Sequence, residues 1–473
     1  MRQYSVHKVA VHRGSPRIFV EGLRLNSAGF APGVSFTVEV DTENHRVSLR
    51  VDSLGTNTVS RRKVGSRERA VIDLNNKKSL SVFDGHDAVR MVVTNNTVRF
   101  LPLASRLAEQ ERLERLNEKL ALGTPLTTAS ICSGAGLMAN ALEAGYRAGG
   151  LNTAPAIVNE IDEEFVEIAT ERNCAVPVDA LALVAPIQEL VQDVWLMSRL
   201  PRVEIVELSL PCSGASSAGK AKRGLAVMEE HPEVGHLAAA ALMLLQKLQP
   251  AIVIAENVPG YQNTGSAWMM RHTLRDMGYV VHETELHGKD FGVLEDRHRW
   301  FMVAATRGIT VDISQLHPAL VSLPSVADVI DQTIHSDDPR WTAFSYLKTK
   351  EVRDLAKGNG FMMQSIRPCD SSVPTLRKGY HKGGSTDPLL KHPTDDALLR
   401  KFTAQEHAAI KGFPPSLVHE LSETAAHQIL GQSVLFKPVF ALGKRIAECL
   451  LKPEQPLQNA LQTSRYSLAR ATG

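Results

Sequence analysis

Several signals are missing from this 473-residue chain, and each absence excludes something. No apolar run reaches the roughly 20 residues that a membrane span needs, and residues 1–30 lack the pattern of a secretory signal. Neither sign of charge is in excess. With 53 Lys+Arg against 51 Asp+Glu, any surface for a polyanion has to be local. Cysteine is scarce and scattered. The five, at 132, 174, 212, 369 and 449, form no CxxC pair and no metal-ligand spacing. An odd, dispersed set points to a reducing compartment. The expectation is a soluble, cytoplasmic, mixed α/β protein without a bound metal. Its length exceeds one ordinary core, so two or three domains are expected.

Residues 1–104 read as a small β-rich domain. Ser35–Val40 and Arg46–Val51 alternate apolar and polar residues across a polar turn, which is a hairpin signal. A fainter copy follows: Phe30, Val38 and Val40 recur as Phe83, Met91 and Val93, each 53 residues on, and Val47 and Leu49 recur as Val98 and Phe100. Between the copies, 61–69 reads as a basic loop, with Arg61, Arg62 and Lys63 as candidate DNA contacts. Residues 105–124 read as a linker helix with Leu113, Leu116 and Leu120 on one face and a favourable Glu111–Arg115 pair, ended by Gly123 and Pro125.

From 125 to 306 strands alternate with helices. The expected strands are Thr127–Cys132, Ala156–Glu160, Val203–Leu210, Ala251–Glu256, Tyr279–Glu285 and Arg299–Thr306, separated by helices such as Leu137–Ala144, Glu163–Glu171 and His236–Leu248. This rhythm predicts a doubly wound, mostly parallel sheet. Residues 307–398 lose it and read as a smaller lobe. Helices over 403–410 and 437–451 bring the chain back within 399–451, and 452–473 is a polar tail.

Five stretches could carry chemistry. Ser130–Leu137 follows the first strand and opens a helix, and Gly134 and Gly136 there let backbone approach a ligand. Such glycine turns are common. Glu160 ends the next strand, where a carboxylate can accept both hydroxyls of a ribose or simply cap a helix. Pro211-Cys212 ends the Val203–Leu210 run and enters a loop of small residues containing Lys220, Lys222 and Arg223. A lone cysteine is most often a small buried hydrophobe. As a nucleophile it needs help to become a thiolate, which a loop start and nearby cations can give. Four apolar residues then run into Glu256-Asn257-Val258, where a partly desolvated carboxyl is suited to holding a proton. Arg297 and Arg299, two apart on an extended segment, suit phosphate or carboxylate and read equally as a surface charge cluster. Thr403 with Glu406 is a capping box.

Taken in order, these segments resemble the DNA (cytosine-5) methyltransferase family over about 127–451. The resemblance implies a Rossmann-like S-adenosylmethionine-dependent methyltransferase domain with a target-recognition lobe at 307–398. It places S-adenosyl-L-methionine on Ser133, Gly134, Ala135, Gly136 and Leu137, with Glu160 on the ribose, Ile161 beside the adenine, and Ser433 and Val434 as the last contacts. It makes Cys212 the nucleophile, Glu256 the proton holder, and Arg297 and Arg299 the pair supporting a flipped cytosine. It implies double-stranded DNA as the polymer, with Lys220, Lys222 and Arg223 on a loop that closes over the base, and raises a cognate restriction endonuclease as a partner. Residues 1–104 more faintly resemble the swapped-hairpin folds of AbrB-, MazE- and SymE-like proteins, which implies DNA binding or homodimerisation.

The chain departs from the family at Ser130, where an acidic residue is usual, and at Pro186, where an aspartate is. Glu295 replaces a glutamine, Gln432 an asparagine and Leu435 a proline. Two other functions share the same machinery: methylation of cytosine in RNA, and DNA binding without catalysis. A labelled methyl donor offered with either polymer separates the first, and a covalent trap on 5-fluorocytosine DNA the second.

Overall fold

The computed structural model describes residues 1–12, 14–215, 223–314, 316 and 322–451. The chain divides into two compact units, Met1–Gln110 and Glu111–Gly473. The division falls inside the helix α1, Ala104–Leu122, and not at either end of it.

The N-terminal unit holds two antiparallel sheets. In the six-stranded one, the expected hairpin is present as Ser35–Asp41 paired with Arg46–Val51, with Val38 opposite Leu49. The fainter copy is the hairpin Ala88–Thr94 with Thr97–Pro102. The two copies join through equivalent strands, Val98 opposite Leu49 and Phe100 opposite Val47. Antiparallel pairing of equivalent strands sets the copies about a local two-fold axis, and their shared residues Phe30, Phe83, Met91, Leu49 and Phe100 fill one core. The stretch 61–69 is not a loop. Ser60–Val64 is a strand paired with Arg67–Leu74, so Arg61, Arg62 and Lys63 stand exposed along a sheet edge. Acidic neighbours answer part of the charge: Arg62 lies 3.0 Å from Glu21 and Arg61 3.5 Å from Glu68.

The second unit is built on a seven-stranded sheet. Its strands are β1 (Leu126–Ile131), β2 (Thr153–Glu160), β3 (Leu181–Val184), β4 (Ile205–Leu208), β5 (Ile252–Asn257), β6 (Tyr279–His287) and β7 (His298–Thr306), in the order 3-2-1-4-5-7-6. Every pairing is parallel except those of β7, which is antiparallel to β5 and β6. Strand β3 was not expected. It is a four-residue edge strand, Leu-Ala-Leu-Val, with three exposed positions, and so short an apolar run does not by itself tell a strand from a helix segment.

Helices cover both faces. On one lie α2 (Leu137–Ala148) and α3 (Glu163–Arg172), on the other α4 (Leu237–Leu248) and α5 (Gly265–Asp276). The lobe contributes α6 (Ser345–Ala356) and short strand pairs; α7 (Ala404–Ile410), α8 (Glu423–Gln432) and α9 (Phe436–Leu451) bring the chain back to the α2 face. Among the described residues no helix is long and apolar enough to cross a membrane.

The C-terminal part of α1 is more than a linker. The fully buried Arg112 donates to Thr306 at 3.0 Å, Gln249 at 2.7 Å and the Met277 carbonyl at 2.8 Å. Arg115 and Lys119 converge on the buried Glu204 at 2.8 and 2.5 Å, which also accepts from Thr127 N. Cations and a backbone amide around one carboxylate offset its desolvation, and its pKa lies below the usual range although burial alone would raise it.

Helices α2 and α9 cross at glycines. A Cβ at Gly145 would run into the Phe440 carbonyl, and one at Gly443 would lie 2.6 Å from the Leu142 carbonyl oxygen. Alanine improves helix propensity by about 1 kcal/mol, but forcing atoms into packed backbone costs about 1–3 kcal/mol, so crowding wins. Gly443→Ala is expected to lower the melting midpoint of this unit by about 2–6 °C; an unchanged or raised midpoint in calorimetry would show that the helices have room to part.

Candidate active site

The topology brings the sequence-predicted residues to one edge. The loop 130–137 follows β1, Glu160 ends β2, Cys212 follows β4 and Glu256 lies at the end of β5. Because β7 runs the other way, its start delivers Arg297 and Arg299 to that same C-terminal edge. The strand order reverses between β1 and β4, where ligands enter doubly wound sheets; the glycine loop and the Cys212 loop flank that point.

Glu256 is nearly covered. Its Oε1 lies 2.8 Å from Arg299 Nε. Burial pushes its carboxyl up, while the charges of Arg299, Arg297 and Lys411 pull it back. Cys212 responds in the same way: burial raises the thiol, Glu256 adds to the rise, and Arg299 and Arg297 lower it. Arg297 is buried and is not part of a surface cluster. Burial and the charge of Arg299 push it down to about 10. Thiol, carboxyl and two guanidiniums are therefore within electrostatic reach of one another.

Asn257 holds the arrangement in register. Its Nδ2 donates to the Leu210 carbonyl at 2.9 Å and its Oδ1 accepts from Val258 N at 2.9 Å, so the side chain ties the end of β5 to the residue before Pro211-Cys212. Sequence reasoning singled out Asn257 without this task. Past Cys212 the chain turns at once, with Ala215 N donating to the Cys212 carbonyl at 2.9 Å.

Around β1 the loop is strained and anchored. Gly134 and Gly136 take left-handed φ of 55° and 68°, and so does the non-glycine Cys132 at 54°, a conformation that persists where the surroundings enforce it. Cys132 is no rival nucleophile, since burial and the Glu160 carboxylate push its thiol up to about 12. Glu160 accepts from Gly134 N at 2.7 Å and Ile161 N at 2.8 Å. Ile161 leaves 64% of its surface exposed. Ala135, Leu137 and Val434 sit in the apolar core, so a ligand would meet them through backbone, and the Ser433 hydroxyl donates to the Leu430 and Val434 carbonyls. Gly136 is required by packing, because a Cβ there would lie 2.7 Å from both Asn173 and Val176. At Gly134 the nearest atom is the Gln432 amide, at 3.3 Å. An open glycine turn, an anchored carboxylate and an uncovered isoleucine at one edge fit a nucleoside with free ribose hydroxyls.

Of the loop cations, Lys220 and Lys222 lie outside the described residues, and Arg223 stands 3.8 Å from Glu233. Sequence reasoning missed a further cluster. Strand pairing sets His287 opposite His298, their rings stack at 3.5 Å, and His298 Nε2 lies 2.6 Å from Glu285. It also missed Lys411, 116 residues from its partner Glu295.

A family model described as C-5 cytosine-specific DNA methylase matches residues 126–448. The chain is 26% identical over 266 residues to the type II methyltransferase M.MspI of Moraxella sp, covering 55% of this chain and 60% of that protein. It is 26% identical over 269 residues to M.HpaII of Haemophilus parainfluenzae, covering 53% and 73%. To the tRNA (cytosine(38)-C(5))-methyltransferase of Schizosaccharomyces pombe it is 26% identical over 221 residues, covering 42% and 65%. The match thus spans about three fifths of the first of these relatives. Among solved structures, the S. pombe Dnmt2 methyltransferase superposes with a TM-score of 0.52 at 20% identity, over 69% of this chain and 99% of that one, a likeness of fold.

Beneath the loop lies an unusual carboxyl. Glu207 is opposite Ser130 across β1 and β4, and its Oε2 is buried without a hydrogen-bond partner. Burial pushes it up to about 8; Ser130 holds it down and Glu143 adds to the rise. The folded chain therefore keeps a proton that the unfolded chain releases near 4.5. Its contribution to stability is full below that value and is lost as pH rises toward 8. Glu207→Gln is expected to flatten the fall of the melting midpoint between pH 5 and 8, by a difference on the order of 1–3 kcal/mol. Parallel wild-type and variant curves over that window would mean that Glu207 is ionised in the fold.

Proposed function

The chain belongs to the C-5 cytosine-specific DNA methylase family, and from that premise we propose that it methylates C5 of cytosine in double-stranded DNA, with Cys212 as the nucleophile. One observation carries the proposal: the Cys212 thiol, the Glu256 carboxyl and the guanidiniums of Arg297 and Arg299 act on one another at a single sheet edge.

Cytosine C5 is a weak nucleophile within its aromatic ring. Bonding of Cys212 Sγ to C6, with loss of the thiol proton, breaks the aromaticity and moves electron density onto C5 and N3. Glu256, kept toward its neutral form by burial, holds a proton against N3 where that charge develops. Arg299 fixes the Glu256 carboxyl, and both arginines favour the Cys212 thiolate. The 133–137 turn, Glu160, Ile161 and Ser433 would hold S-adenosylmethionine, whose sulfonium would supply, when bound, the methyl group that C5 accepts. Loss of the C5 proton and departure of Cys212 restore the ring. A stacked base cannot meet a buried thiol, so the cytosine leaves the duplex at a cost of a few kcal/mol; most of the loop expected to close over it, residues 216–222, lies outside the described residues.

The similarity to a tRNA (cytosine(38)-C(5))-methyltransferase favours RNA as the second substrate to test. Labelled methyl transfer to duplex DNA and to tRNA, run side by side, decides between them, and transfer to tRNA alone would overturn DNA as the substrate. On 5-fluorocytosine DNA the native protein is expected to leave a denaturant-stable adduct that Cys212→Ser abolishes. Absence of an adduct with native protein would refute the covalent route, and an adduct surviving in Cys212→Ser would remove Cys212 from it. Glu256→Gln is expected to slow transfer by about 10²–10⁴-fold.

For residues 1–104 we propose that the exposed edge strand carrying Arg61, Arg62 and Lys63 adds DNA affinity through phosphates. Replacing the three by glutamine is then expected to reduce the slope of log K against log salt by about 0.9 for each phosphate no longer neutralised. An unchanged slope would refute that role and turn attention to dimerisation, read by light scattering.

A further inference from the structure

Two opposite charges removed entirely from water lie at the root of Arg297. Glu295 and Lys411 are each 0% exposed, and Lys411 Nζ lies 2.6 Å from Glu295 Oε2. The other carboxylate oxygen, Oε1, accepts from Leu376 N at 2.9 Å and stands 3.7 Å from Arg297 Nη1. Three distant segments therefore meet on one carboxylate: the approach to β7, the residue after α7, and the 307–398 lobe. The backbone repeats the connection, since Glu295–Asp296 pairs in parallel with Val373–Pro374 and the Thr375 hydroxyl donates to the Asp296 carbonyl at 2.8 Å.

Glu295 is the counter-charge that both cations need. Burial pushes Lys411 down to about 7, with Arg297 and Arg299 adding to the fall and Glu295 opposing it. Arg297 Nε is buried without a hydrogen-bond partner, so little besides Glu295 and Glu256 holds this guanidinium electrostatically. His407, one turn before Lys411, is held well below its ordinary range by burial, by Lys411 and by Arg297; as a neutral ring it supplies no counter-charge. Across the cluster Arg299 is already engaged by Glu256. Removing one member of such a buried pair does more damage than removing both, because it strands a charge.

We propose that the Glu295–Lys411 pair positions Arg297 against Cys212, and that the same carboxylate makes this position depend on the seating of the 307–398 lobe at Leu376. The role in turnover rests on the cytosine-methylation reading, whereas the placement of Arg297 does not. Neither Glu295 nor Lys411 touches the reacting atoms in this scheme; both are positioning residues.

The sign of one measurement separates positioning from simple charge. Iodoacetamide alkylation at Cys212, followed by mass spectrometry across pH, reports the midpoint of its thiol without any substrate. Through space, Glu295→Gln removes a negative charge and can only lower that midpoint. If Glu295 holds Arg297 in place, the guanidinium leaves and the midpoint rises instead, by about 0.5 pH unit or more. The double variant Glu295→Gln/Lys411→Gln spares Lys411 from being stranded but still leaves Arg297 without this counter-charge, so its midpoint is expected to stay above the wild-type value. In methyl transfer the single variant is expected to lose roughly tenfold or more in kcat with KM for the methyl donor little changed, and the double variant to remain impaired in the same way. A lowered or unchanged midpoint in Glu295→Gln overturns the proposal. If that variant does not fold, a double variant that folds with a lowered or unchanged midpoint overturns it as well. A wild-type protein that alkylates as expected yet methylates no polymer would overturn the function proposed above and leave the placement of Arg297 standing.

Discussion

The 2.8 Å contact between Arg299 Nε and Glu256 Oε1 joins two groups with opposite needs. Burial drives the carboxyl toward its neutral form, and the guanidinium draws it toward the ionised one. Burial is the larger of the two, so the carboxyl lies above its ordinary range while the guanidinium limits the rise. The contact depends in turn on sheet pairing. Glu256 stands opposite Phe301 and Arg299 opposite Leu286, so a slip of β7 by one residue would turn both arginines to the wrong face.

Cys212 is governed by the same opposition. Its thiol sits above the ordinary range in the unliganded chain because burial and the Glu256 carboxyl outweigh the two arginines. A nucleophile in this state resists adventitious oxidation and alkylation. The charges around Cys212 therefore do not amount to a standing thiolate.

Much of this was legible in the sequence, for identifiable reasons. Central strands such as β5 and β7 announce themselves as apolar runs, and the capping box at Thr403 and Glu406 forms as its spacing predicts, with Glu406 N donating to Thr403 Oγ1 at 3.2 Å. The hairpin at 35–51 carries its own period and turn. Elements without a local signature were misread or missed. The strand β3 is short and exposed, and the charged stretch 61–69 reads as a loop because its pairing partner is simply more charged sequence. α1 shows its apolar face but not that Arg112, Arg115 and Lys119 anchor the base of the sheet, since their partners lie 85 to 194 residues away. Glu295 stood out as a departure, but the lysine that answers it is separated by the whole lobe, and no local pattern links them.

The glycine crossing of α2 and α9 has a consequence for how the protein is made. Helix α2 springs directly from the ligand-facing turn at 134–136, yet the surface it packs against belongs to Phe436–Leu451. As the chain leaves the ribosome, the first strand and helix of the sheet appear early and wait almost three hundred residues for their cover. Until the last helix is synthesised, the turn that would cradle the cofactor is attached to a half-covered helix. A truncated or stalled chain is therefore left with that turn on a half-covered helix, even when the thiol, the carboxyl and both arginines have already been made.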